Sequence, residues 1–258
     1  MILTSYGIIN STNTININSI NTDGLITYWD FQNSSSYNGT GTTITDLDGT
    51  NNGTIVGPLS YVSGSPNYFN FDNRSDRYLT TSTSLNPYLS PTNTGVSISL
   101  FIWIYPVTTI GAVLSEQGST TPDLNPGWYD TQIEMVSGNK VRFGVWPYTS
   151  GTGSGNLLST STISTNAWYY IGFTYDGSTL TGYIDGQPAG TLAKSNRQTP
   201  YNDGGTGYYY NIGRRSGTNM GSGADGTFRL GAFHIYNTAI DASTVLSNYN
   251  VTKSVYGK

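Results

Sequence analysis

The sequence predicts an all-β fold: two antiparallel sheets packed face to face as a sandwich, with one short C-terminal helix. Three observations predict it. Of 258 residues, 32 are Gly and 21 are Tyr, only 10% are charged, and Glu occurs just twice, at Glu116 and Glu134. Tyr and Thr favour strands and Gly and Asn favour turns, while helix formers are scarce. Residues 167–190, AWYYIGFTYDGSTLTGYIDGQPAG, read as three strands joined by two Asp-Gly turns. Asp-Gly between alternating runs is the strongest short-range hairpin signal, because the favoured turns need positive φ. Residues 96–105, VSISLFIWIY, are the most apolar run and stop before Pro106, which marks a central strand.

Taken in order, residues 1–22 are polar with a sparse alternation around Ile15 and Ile17. They read as an edge strand or flexible arm, or as an anchor that pairs with a neighbouring subunit, since an unpaired strand edge recruits partners. Residues 23–258 form one domain. Residues 24–31 are an aromatic and β-branched strand. Residues 34–57 are a Gly/Asn-rich loop anchored by Ile44, Leu47, Ile55 and Val56, and residues 67–80 are two strands around a polar turn. Short strands follow at 113–117, at 128–135 and 140–146 around Ser137-Gly138-Asn139, and at 208–213 and 228–236. In the meander, Tyr169, Ile171, Phe173 and Tyr175 share one face by their period of two. Asp241 can cap a helix whose Val245, Leu246 and Tyr249 recur on one side.

Composition excludes several functions. The net charge is −4, and Arg214-Arg215 is the one local basic pair, so a nucleic-acid partner is not expected. No apolar run is long enough for a membrane-spanning helix, so membrane insertion is not expected. The absence of cysteine removes thiol catalysis and thiolate metal sites. The first twenty residues lack the basic region and continuous apolar core of a secretory signal.

The order GLITYWDF, YFNFDNRSDRYL, VSISLFIWIYP, AWYYIGFTYDG, GYIDGQPAG, YNIGRR and FRLGAFHIYNTAI resembles the concanavalin A-like, laminin-G-like jelly roll over residues 24–250. Residues 36–43, 46–49 and 51–54, with Asn248 to Lys253 and Tyr256-Gly257, resemble versions of this domain found in tailed-phage and large-DNA-virus proteins. The resemblance implies a non-enzymatic virion structural or surface protein, such as a capsid decoration, fibre or tail appendage. It would act in assembly contacts or host adhesion and lie on the capsid or tail surface. Its partners would be other virion proteins, copies of itself through residues 1–22, or cell-surface glycans. A stand-alone carbohydrate-binding lectin is the alternative, and a glycoside hydrolase a third reading.

Each chemistry has its candidate residues. Relatives that hydrolyse β-glucans carry Glu-x-Asp-x-Glu on one strand. The nearest stretch is Asp130-Thr131-Gln132-Ile133-Glu134, in which Gln132 replaces the central carboxylate. Asp130 and Glu134 would lie about 13 Å apart on an extended strand, where a retaining glycosidase needs about 5 Å between carboxyl groups. No catalytic residue is therefore assigned, and His234, the single histidine, reads as structural. No cofactor is expected, except that the resemblance implies calcium in some members. Asp46, Asp48 and Asn51 offer hard oxygen ligands for it, and the same residues equally make an Asx turn. Gly231 and Ala232 stand where relatives often carry an acidic pair, which argues against the ion. Sugar sites use aromatic platforms with nearby amides and hydroxyls. Trp128, Tyr129, Trp146, Tyr148 and Tyr209, beside Gly-rich loops, are the candidates, with core packing as the alternative. Trp29, Trp103 and Trp168 lie within apolar strands and read as structural.

Overall fold

A computed structural model describes residues 20–49, 51–89, 97–117, 130–145, 156–193, 209–214 and 225–258. Its first strands are β1 (Leu25–Asp30), β2 (Thr43–Ile44), β3 (Gly53–Val56), β4 (Ser60–Val62), β5 (Tyr68–Asp72) and β6 (Tyr78–Thr81). The one-turn helix α1 (Asn86–Leu89) precedes β7 (Ile98–Pro106), β8 (Gly111–Gln117), β9 (Asp130–Val136), β10 (Lys140–Phe143) and β11 (Leu157–Leu158). Then come β12 (Tyr169–Tyr175), β13 (Thr179–Ile184), β14 (Gln187–Ala193), β15 (Tyr209–Ile212) and β16 (Thr227–Tyr236). The chain closes with α2 (Ala242–Thr252) and a 3₁₀ turn (Lys253–Tyr256).

Two antiparallel sheets make the sandwich. The first runs β14-β13-β12-β7-β16-β5-β4, with β1 also paired to β16; the second runs β11-β10-β9-β8-β15-β6-β3-β2. The run expected to be a central strand is one: β7 pairs with β12 on one side and β16 on the other. Pro106 ends β7 from inside the strand. The ten-residue β16 takes β5 along its first half and β1 along its second. The polar turn after β5 is a corner, because β5 joins the first sheet and β6 the second. Within the loop expected at 34–57, β2 and β3 form a short edge.

The meander has the expected three strands, but its turns differ. At the second, Asp185 (φ 51°) and Gly186 (φ 75°) are both left-handed, as a two-residue hairpin turn requires. At the first, Gly177 alone has positive φ, and the Asp176 carboxylate shapes the turn by accepting the N–H groups of Ser178 (2.8 Å) and Thr179 (2.7 Å). Those bonds hold the Asp176 carboxyl below the ordinary carboxylate range.

Both faces of the first sheet are covered, so β12 is buried on both sides. Ile171, Phe173 and Tyr175 enter the core between the sheets, with Trp29, Phe69, Leu100 and Ile102. Trp168 and Tyr170 point the other way, into a second layer with Phe101, Trp103, Tyr236, Val245 and Tyr256. That layer seats the C-terminal helix. Asp241 caps α2 by accepting the Thr244 N–H at 2.7 Å. Asn248, absent from the apolar pattern, is the buried fixing point: its amide donates to the Tyr236 hydroxyl (2.9 Å) and accepts the Asn21 N–H (2.8 Å). Residues 1–19 lie outside the described residues; Ile20 is buried in the outer layer, and the Asn21 carbonyl accepts the Tyr236 hydroxyl at 3.0 Å.

His234 faces this outer layer, fully enclosed, with Nδ1 3.3 Å from the Tyr170 hydroxyl and Tyr28 edge-on at 4.8 Å. Burial lowers its pKa to about 3. An unfolded histidine titrates near 6.5, so between these values the unfolded chain binds a proton that the native state refuses. Stability therefore falls on acidification through that window, by about 1.4 kcal/mol per pH unit at most. Urea unfolding of the wild type and His234→Phe at pH 7, 6 and 5 should show the wild type losing ground as pH falls. Parallel pH dependences would refute this.

Candidate functional site

The candidate site lies on β15 in the second sheet. Tyr210 and Ile212 enter the core, so strand alternation puts Tyr209 and Asn211 on the opposite face. Tyr209 is half-buried. Asn211 is fully buried, and neither its amide nitrogen nor its amide oxygen has a hydrogen-bond partner. In register beside it stand Thr80 on β6 and Ser115 on β8. A buried polar group left unpaired costs about 1–3 kcal/mol, and such groups are ordinarily met by protein, water or ligand. An aromatic ring two residues from an open donor and acceptor is chemically suited to a ring that carries hydroxyls.

The two glutamates lie on β8 and β9 of the same sheet, and both are engaged. The Glu116 carboxylate accepts the Tyr210 hydroxyl at 2.9 Å and the Gln132 amide at 2.8 Å. Glu134 forms an ion pair with Arg142, its cross-strand partner on β10. Along β9 a register shift against β8 falls between the pairs Leu114–Ile133 and Ser115–Thr131. Gln132 Oε1 is buried without a partner.

Of the expected sugar-contacting residues, Tyr209 is placed at this site; Trp128, Tyr129, Trp146 and Tyr148 lie outside the described residues. Tyr209 and Asn211 were joined by the period of β15, which is legible in Tyr-Tyr-Asn-Ile. The unmet amide of Asn211 was not, because it depends on what the neighbouring strands fail to supply.

The loop proposed for calcium is built as a turn. Asp46 Oδ1 accepts the N–H groups of Tyr28 (2.8 Å) and Asp48 (3.2 Å), and Oδ2 accepts that of Asn51 (3.0 Å). Burial pushes the Asp46 carboxyl up from its ordinary value, against the pull of these bonds. The Asn51 amide donates to the Ile26 carbonyl and accepts the Thr83 hydroxyl at 3.2 Å. The Asp46 carboxylate thus serves three backbone N–H groups as the hub of a turn. At Gly231 a Cβ would lie 2.4 Å from Tyr256 Cε1. The Tyr256 ring fills the place in front of that residue.

A sequence model of the concanavalin A-like lectin/glucanases superfamily matches residues 71–246. No curated protein matches the chain. Among solved structures, the chain is similar to the binding domain of botulinum neurotoxin DC in complex with SialylT, at 14% identity and TM-score 0.60, covering 91% of this chain and 52% of that one. It is also similar to a botulinum neurotoxin type C structure whose cell entry is described as dependent on two ganglioside molecules. That match has 14% identity and TM-score 0.58, covering 90% of this chain and 51% of the other. A mutant Trypanosoma rangeli sialidase displaying trans-sialidase activity matches at 13% identity and TM-score 0.57, covering 93% and 35%. The chain thus spans about half the length of the neurotoxin structures and about a third of the sialidase.

Proposed function

The chain belongs to the concanavalin A-like lectin/glucanase superfamily, and on that premise we propose that it is a non-enzymatic, carbohydrate-binding surface domain. Its sugar site is the face of β15 that carries Tyr209 and Asn211. The observation that carries this reading is the Asn211 amide, buried with donor and acceptor both unpaired, on the same strand face as the half-buried Tyr209 ring. The ring supplies an apolar platform and the amide reads hydroxyl orientation. The neurotoxin structures, described with sialyl and ganglioside ligands, support the same chemistry by analogy of fold.

The non-catalytic part of the proposal is supported by the engagement of Glu116 with Gln132 and Tyr210, and of Glu134 with Arg142. In this reading the protein is displayed on a virion, as the resemblance in residues 36–54 and 248–257 implies, and sugar binding serves adhesion to the host.

A glycan array spanning sialylated and neutral oligosaccharides tests the binding. The expected result is a restricted set of hits, weakened about tenfold by Asn211→Ala through the loss of its hydrogen bonds. Tyr209→Ala should weaken the same hits. An empty array, or hits unaffected by both variants, refutes the site. Turnover of a β-glucan or sialoside that disappears in Glu134→Gln would overturn the non-enzymatic reading. Detection of the protein in purified particles tests the virion setting.

A further inference from the structure

A cavity of about 130 Å³ opens on the outer side of the first sheet, between β1, β16 and the C-terminal helix. Tyr28, Asp30, Gln32 and Tyr256 give it a polar side, and Ile20, Val251 and Val255 an aliphatic one. It lies on the opposite side of the sandwich from Tyr209 and Asn211, and nothing in the sugar-binding proposal uses it.

Two features of this cavity are unmet. Asp30 Oδ1 accepts the Gln32 N–H at 3.0 Å and Oδ2 accepts the Tyr28 hydroxyl at 3.0 Å, yet no described cation pairs with it. Each carboxylate oxygen has a second lone pair to offer. Tyr256 is only 5% exposed, and its hydroxyl has no hydrogen-bond partner. Gln32 borders the same space, its amide oxygen and one of its two amide N–H groups bonded to the Asn67 backbone at 2.8 Å. A carboxylate without a counter-charge and a phenol without a partner therefore line the same small space. Charge taken out of water is costly unless paired.

We propose that this cavity binds an alkylammonium group, such as the amine of a lysine side chain or of a compact organic amine. The ammonium donates to the open lone pairs of Asp30 and to the Tyr256 oxygen. The rings of Tyr28 and Tyr256 favour a cation near their faces, and Ile20, Val251 and Val255 cover its methylene groups. A calcium ion takes six to eight oxygen ligands, more than one already engaged carboxylate and two phenols provide. Neutral hydroxyl groups would leave the Asp30 charge uncompensated.

The test is a titration of the full chain with n-butylammonium chloride at constant ionic strength, read by melting temperature and by NMR shifts of residues 28–32 and 251–256. Calcium chloride and methyl glucoside serve as parallel probes. Saturable stabilisation by butylammonium is expected, as binding to the native state requires. Asp30→Asn should weaken it at least tenfold. Tyr256→Phe, which removes only the unpartnered hydroxyl, should weaken it several-fold in a folded protein. The proposal is overturned if butylammonium gives no saturable shift, if both variants bind it as the wild type does, or if only calcium or the sugar binds.

Discussion

Replacing Gly172 with alanine should cost about 3 kcal/mol or more of folding stability, at the upper end of what overpacking does. Gly172 sits mid-strand in β12, opposite Phe101 on β7 and Tyr183 on β13. A Cβ there would lie 2.1 Å from the Leu100 carbonyl oxygen and 2.3 Å from Phe101 Cδ1. The ring could rotate away, but the carbonyl belongs to β7, which is held on its other side by β16. Neither strand can retreat without breaking a ladder. Gly64→Ala is the control, since its nearest neighbour would be an ordinary 3.6 Å away. In urea, the Gly172→Ala midpoint should fall with little change in slope. A loss within about 0.5 kcal/mol, typical of an uninvolved surface site, would show that the two strands are not tightly pressed at this point.

The second large effect is expected at Trp103. Its ring is fully buried, stacked on Tyr256 at 4.1 Å and on Tyr249 at 5.8 Å, and Nε1 donates to the Thr252 hydroxyl at 3.0 Å. It is the side chain of the central strand on which the C-terminal helix rests. Trp103→Ala should cost about 3–5 kcal/mol, as large aromatic truncations in cores do. The loss should be spatially uneven: amide exchange should quicken most across residues 245–256, because their packing partner is gone. Trp103→Phe keeps an apolar ring and loses the hydrogen bond, so it should fall between. Unchanged protection of the helix in Trp103→Ala would mean that Asn248 and the Tyr236 hydroxyl hold it alone.

Much of this arrangement is legible in the chain. The central strand, the three-stranded meander and the capped helix follow from an apolar run, two Asp-Gly pairs and one Asp before an apolar face. The structural reading of Trp29, Trp103 and Trp168 rested on their place inside apolar strands; all three are buried, with Trp168 standing just before β12. The candidate site was half legible. Tyr209 was visible as an aromatic out of phase with its core-facing neighbours, whereas the open amide of Asn211 was not. Asp46 shows the same limit: a carboxylate in an Asx-rich loop reads equally as a metal ligand or a turn former. The N–H groups of Tyr28, Asp48 and Asn51 show it acting as a turn former.

The sequence by itself determined where the chain is extended, where it turns and which side chains share a face. These follow from alternation and turn chemistry, which act between residues a few positions apart. Only the tertiary structure decided that β5 and β6 part into different sheets, and that the Tyr256 ring settles on Gly231. It also decided that Asn211 keeps an unfilled amide, and that Asp30 and Tyr256 share a cavity. Each of these depends on groups distant in the chain being brought together, or failing to meet a partner. That outcome is set by packing two covered faces at once and not by any local preference.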